Sequence, residues 1–132
     1  MEYFDFVKKV NYEGEQSSNP LAFKFYDPDR VILGKKMSEH LPFAMAWWHN
    51  LGASGADMFG VGTADKSFGA APGTMEHARA KVDAGFEFMQ KLGIKYFEPR
   101  VIDGKNVSNL NKYETATLKK IMGCYGISVS SI

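Results

Sequence analysis

The feature that most constrains this chain is a continuous apolar run, Phe43 to Trp48, preceded by Pro42 and followed by His49-Asn50. A strand with one wet face alternates polar and apolar residues. A run with no polar residue fits a strand covered on both faces, the usual state in parallel sheets. Parallel strands need crossovers, and the rest of the sequence supplies them. Thr74 to Leu92 reads as a helix, because Met75, Ala78, Val82, Gly85, Phe86, Met89 and Leu92 recur at three/four spacing. Thr74 suits its N-cap, Glu76 suits the positive end of its dipole, and Gly93 suits its C-cap. Ile94 to Phe97 reads as a second strand. Asn111, with Glu114 three positions on, predicts the start of a second helix carrying Leu118, Ile121, Met122 and Tyr125, ended by Gly126. Ile127 to Ile132 reads as a third strand. Strands alternating with helices predict a parallel α/β sheet with right-handed crossovers.

Two stretches lie outside this alternation. Met1 to His40 shows neither helical periodicity nor alternation, yet this region and the next ten residues hold ten of the eighteen aromatics. Ser17-Ser18-Asn19-Pro20 and Asp27-Pro28-Asp29 mark turns. Such an arm is expected to lie against its own domain or a neighbouring subunit. Gly34 to Leu41 reads as a short helix. Leu51 to Gly73 is rich in glycine, alanine and aspartate without periodicity, and a connection this long is usually functional. Asp103 to Leu110 reads as a loop.

Composition narrows the partners. Sixteen lysines and arginines against fifteen acids give a net charge of +1. A near-neutral chain with no basic block argues against nucleic acid and anionic membrane. No apolar run approaches a membrane span, and the N-terminus lacks a secretory pattern. One cysteine, Cys124, cannot form an internal disulfide, so the cytoplasm is the expected compartment. At 132 residues the chain is one domain.

Parallel α/β folds place their sites at the C-terminal ends of strands, which directs attention to Trp47, Trp48 and His49. Adjacent strand residues point to opposite faces, so one indole should pack under a helix and the other stand on the sheet's far side. There it could wall a pocket for an apolar sugar face, although core packing is the commoner use. His49 could ligate metal or move protons, but a strand-end histidine bonding backbone is the simpler expectation. His77 reads as solvated, and neither His40 nor His77 has metal spacing with another ligand. Asp57, Asp65, Glu98 and Asp103 could hold a hard cation but form no short motif. The glycines between Gly55 and Gly69 match no phosphate or dinucleotide pattern. Cys124, on a helix packed against a sheet, is expected to be buried and inert.

The stretch His40-Leu41-Pro42-Phe43-Ala44-Met45-Ala46-Trp47-Trp48-His49-Asn50, followed by Gly55-Ala56-Asp57-Met58-Phe59-Gly60, resembles the N-terminal part of the longer type of bacterial xylose isomerase. So do Asn19 to Tyr26, the helix Met75 to Leu92 and the strand Ile94 to Phe97. The likeness covers about residues 1–97. Residues of about 98–132 resemble the sugar phosphate isomerase/epimerase family, which shares the same kind of barrel. The resemblance implies an α/β fold: the N-terminal portion of a (β/α)8 TIM barrel, with about three parallel strands, two helices and an irregular arm. It divides the single domain into an arm (1–40), a first strand–helix–strand unit (41–97) and an epimerase-like continuation (98–132), as in a chimera or mosaic. It also implies a metal-dependent aldose–ketose isomerase acting on D-xylose, a pentose substrate, divalent magnesium, manganese or cobalt, and a homo-oligomer.

Two substrate-binding residues carry over. Trp48 matches the tryptophan that walls the sugar pocket, and Phe59 matches a phenylalanine that reaches into a neighbouring subunit's active site. No catalytic or metal residue does. The family's histidine and aspartate after this strand are replaced by Arg100 and Val101, and its metal ligands come from later strands. Since a closed barrel needs about 250 residues, the resemblance implies a truncated chain that is inactive alone and binds no metal itself. The alternatives are a non-catalytic fragment that self-associates and a small sugar-binding module.

Overall fold

The structure is a computed structural model. It describes residues 2–53, 56, 58–62, 64–98, 101–102 and 105–129. In chain order its elements are β1 (Val31–Ile32), β2 (Lys35–Lys36), α1 (Met37–His40), β3 (Ala44–Ala46), a π-helical turn (Trp48–Gly52), α2 (Met75–Leu92), β4 (Tyr96–Glu98), β5 (Val101–Ile102), β6 (Lys105–Asn106), a 3-10 turn (Val107–Asn109), α3 (Lys112–Tyr125) and β7 (Ser128–Val129).

The expected parallel sheet is present, with strand order β3-β4-β7. Met45 sits opposite Phe97, Ala46 opposite Glu98, and Phe97 opposite Val129. Both helices form where their caps dictate. The Thr74 hydroxyl accepts from the His77 N–H at 3.1 Å, and Gly93 closes α2 in the left-handed region at φ 71°. The Asn111 side chain accepts from the Glu114 N–H while the Glu114 carboxylate accepts from the Asn111 N–H, both at 2.9 Å. Gly126 ends α3 at φ 64°.

The core lies between the sheet and the two helices. Met45, Phe97 and Ile127 meet Val82, Phe86 and Met89 of α2 and Met122 of α3. Phe86 packs edge-on against Phe97 with ring centres 5.4 Å apart. Trp47, Phe86, Phe97 and Met89 are each almost completely removed from water, worth about 1.5–3 kcal/mol apiece. The α2 stripe departs from the spacing at its start, where Met75 is exposed.

Several elements correct the sequence expectations. The first strand stops at Ala46 rather than Trp48, because Trp47 already has helical dihedrals (φ −56°, ψ −46°) and leads into the π-helical turn. The second strand begins at Tyr96 and carries on to Glu98. The third is described only for Ser128–Val129, and 130–132 lie outside the described residues. The stretch expected to be one short helix begins as strand β2, paired with β1 across Leu33 and Gly34, both at positive φ. The expected loop after Asp103 contains β6, paired with β5. Cys124 is exposed, because it falls on the solvent side of α3.

Residues 2–10 of the arm lie against α2 of their own chain. The Glu87 carboxylate accepts the Tyr3 and Phe4 N–H groups at 2.7 and 2.8 Å. Lys91 Nζ donates to the carbonyls of Phe4 and Val7 and pairs with Glu2 at 2.7 Å and Glu87 at 3.2 Å. Burial pushes the Glu87 carboxyl up, but the two N–H donors and Lys91 outweigh it and hold it below its ordinary range. Burial also works against the Lys91 ammonium, and its carboxylate partners Glu2 and Glu87 overcome this and raise it.

Candidate functional site at the strand ends

Among the described residues no polar or charged side chain is buried. The covered core is therefore apolar packing, and any chemistry belongs to the surface. The richest surface lies where β3 and β4 end side by side.

The site is built from beneath. Gly85 of α2 lets the chain after β3 come close: a Cβ there would stand 2.7 Å from the Trp47 ring and closer still to Leu51 Cδ1. Trp47, 1% exposed, fills this space and contacts Phe86 and Phe97 with ring centres 5.7 Å away in each case. With Trp47 buried, the π-helical turn leaves Trp48 partly exposed. The two tryptophans differ in exposure, but a helical turn rather than strand pleating separates them. The Asn50 amide holds the turn by donating to the Ala46 carbonyl at 2.9 Å. Single π turns are rare and recur at functional sites.

Trp48 is 36% exposed. Its indole Nε1–H donates to Glu98 Oε2 at 2.9 Å, and its ring stacks on the His49 imidazole, centres 3.4 Å apart and 30° between planes. His49 thus supports an aromatic ring, where the sequence suggested a backbone contact. Of the two acids considered in the sequence that are described, Glu98 enters this cluster and Asp65 does not. Asp65 caps a turn by accepting from the Ser67 N–H at 2.8 Å, which lowers its carboxyl from the ordinary value. Asp57, Asp103 and Arg100 lie outside the described residues. Val101 lies in β5.

Phe59 stands elsewhere, on a turn of the long loop. It is 90% exposed, and Met58 and Val61 beside it are as exposed. The loop is anchored on both sides of this turn. Lys66 Nζ donates to the Ala53 carbonyl at 2.6 Å, and a His77 ring nitrogen meets the Lys66 carbonyl at 3.0 Å. His77 is thus half-buried against the loop, contrary to its solvated expectation. His40 bonds the Ile32 carbonyl at 2.8 Å. No three histidine, cysteine, aspartate or glutamate side chains converge to hold a metal ion among the described residues. No helix there is long and apolar enough to cross a membrane.

No family model matches the chain. Curated proteins do. The chain is 46% identical over 122 residues to the xylose isomerase of Phocaeicola vulgatus, which covers 92% of this chain and 28% of that protein. It is 45% identical over the same length to the xylose isomerase of Bacteroides thetaiotaomicron. This chain is a relative of the xylose isomerases. Against the xylose isomerase of Actinobacillus pleuropneumoniae it is 52% identical over 95 residues, 72% of this chain and 22% of that protein. The chain thus spans about a quarter of the length of the xylose isomerases it matches. A match covering 122 of 132 residues must run past residue 97. Likeness to xylose isomerase therefore continues into α3, beyond the point where the sequence alone placed a change of resemblance.

Proposed function

We propose that this chain forms the opening part of a xylose-isomerase-type (β/α)8 barrel, with β3, β4 and β7 as its first three strands. In this reading residues 1–40 are the arm, 41–97 the first strand–helix–strand unit, and 98–132 the continuation to the third strand. The observation that carries the reading is the 46% identity to a xylose isomerase across 92% of the chain. The parallel order β3-β4-β7, with helices on one face, is compatible with it.

The parent reaction moves hydrogen between C1 and C2 of a pentose, with a divalent metal supplying charge at the sugar oxygens. Among the described residues no cluster of histidine, cysteine or carboxylate side chains fits that metal. What this chain contributes is binding. Trp48 offers an indole surface to the apolar face of D-xylose and keeps water from it. Phe59, on its projecting loop, reaches a neighbouring subunit. With Arg100 in place of the family's histidine and no metal cluster among the described residues, the isolated chain does not isomerise xylose. The test is turnover of D-xylose to D-xylulose by the purified chain with magnesium, manganese or cobalt. A rate at the buffer level is expected, and Arg100→His should not raise it. Metal-dependent turnover clearly above buffer would refute the assignment of inactivity.

A second reading, self-association without catalysis, is favoured by the open sheet face, where Tyr96, Ala44 and Ser128 are exposed. Both outer strands also keep unpaired edges within that sheet, which invites strand addition. Light scattering at two concentrations decides it. Growth in mass with concentration supports pairing of chains, and a constant monomer mass removes it.

A further inference from the structure

We infer that Glu98 is a positioning residue for Trp48, and that the carboxylate, the indole and the His49 ring act as one preset platform at the mouth between β3 and β4. The inference deepens the sugar-pocket reading and rests on it for its purpose, though its geometry stands independently. Three observations carry it. Ala46 and Glu98 are register partners, so the Glu98 side chain leaves the sheet level with the start of the π-helical turn. The indole Nε1–H donates to Glu98 Oε2 at 2.9 Å, an ion-assisted bond joining residues 50 positions apart. The Trp48 ring also stacks on His49. A tryptophan turns about two side-chain torsions. Stacking resists tilting of the ring, and the edge bond fixes its rotation. Together they leave one orientation.

Preorganisation of this kind serves recognition. An indole that must be ordered on binding loses side-chain entropy at that moment. One already held loses less. The ligand class such a platform takes is a small polyol, with an apolar CH face for the ring and hydroxyls beside a carboxylate. The role of Glu98 is exerted through Trp48, whose indole its carboxylate holds.

The chain has two tryptophans, so a 1H–15N NMR spectrum of the full chain shows two indole signals, assigned with Trp48→Phe. Glu98→Ala should move the Trp48 indole proton upfield, as the bond to the carboxylate is lost, and leave the buried Trp47 signal in place. Glu98→Gln, whose amide oxygen still accepts, should restore part of the shift, a rescue that a purely structural role would not show. The retained Trp47 signal reports that each variant is folded. If the alanine variant does not fold, the glutamine variant decides by a smaller upfield move of Trp48 alone. A Trp48 signal unmoved in a folded Glu98 variant overturns the inference. D-xylose added to the unaltered chain tests the underlying reading separately. If Glu98→Ala moves Trp48 but xylose does not, the positioning stands and the sugar pocket falls.

Discussion

The two faces of the three-stranded sheet are built from alternate residues of the same short strands, yet they differ in kind. On one face Met45 and Phe97 lie under α2 and α3 with almost no exposure. On the other, Tyr96 is 37% exposed beside the half-buried Glu98. Phe97 and Tyr96 are chain neighbours, and a single step along β4 takes the chain from the apolar core to a surface that holds polar groups. The covered face contributes stability. The open face contributes the strand-end cluster, and can do so because its side chains are not needed to exclude water from the core. The contrast explains why the polar groups cluster on one side: a carboxylate such as Glu98 would be costly on the helix side, where the described residues provide no partner within the core.

Emptying the covered face should cost the most stability. Phe97→Ala removes a ring that touches Trp47 and Phe86, and is expected to destabilise by about 3–5 kcal/mol. Urea unfolding followed by circular dichroism measures it. A loss below about 1 kcal/mol would show that the two faces are not distinct.

Overfilling the same face should do less. Gly85→Ala drives a methyl group into the Trp47 ring and Leu51. Overpacking costs about 1–3 kcal/mol, and the better helix propensity of alanine returns up to about 1 kcal/mol. A lower urea midpoint, with a shifted Trp47 indole signal, is the expected outcome. A higher midpoint would mean the turn above Gly85 yields freely.

Smaller again is the contribution of the arm's clasp on α2, and it should carry a pH signature. The Glu87 carboxyl is lowered in the folded chain, so its contribution is present in full above the ordinary glutamate value and is lost as pH falls through the lowered folded value. Lys91 is raised, so its contribution holds below the ordinary lysine value and disappears as pH rises through the higher folded one. Melting temperature should therefore decline in acid. Glu87→Gln should lower it at neutral pH and flatten that acid decline. An unchanged acid profile would remove Glu87 from the clasp.

The smallest effect belongs to the open face. Tyr96→Ala, next to Phe97 in the chain, should change stability by less than about 1 kcal/mol. A loss as large as that of Phe97→Ala would mean that something covers this face in solution. Light scattering on the same sample would then show whether the cover is a second chain.

The features legible in the linear chain depend on residues only a few positions apart. Thr74, Gly93, Asn111 with Glu114, and Gly126 delimit the two main helices because a cap is satisfied by groups three or four positions away. The apolar run at 43–48 required a covered strand, and alternation with helices required parallel pairing, which the sheet shows. That one tryptophan would be buried and its neighbour more exposed was also legible, though the helical turn behind it was not. The tertiary structure alone decided that β3 ends at Ala46, because Gly85 on a helix some forty residues later makes room for Trp47 to turn inward. It decided that β4 reaches Glu98, which brings a carboxylate to the Trp48 indole. It also put His49 on a ring, His77 on a loop carbonyl and Cys124 in the open. Periodicity and capping are local and survive in the linear text. Register between strands, and the partner a side chain meets across it, depend on where each strand starts and stops, and packing against distant residues sets those limits.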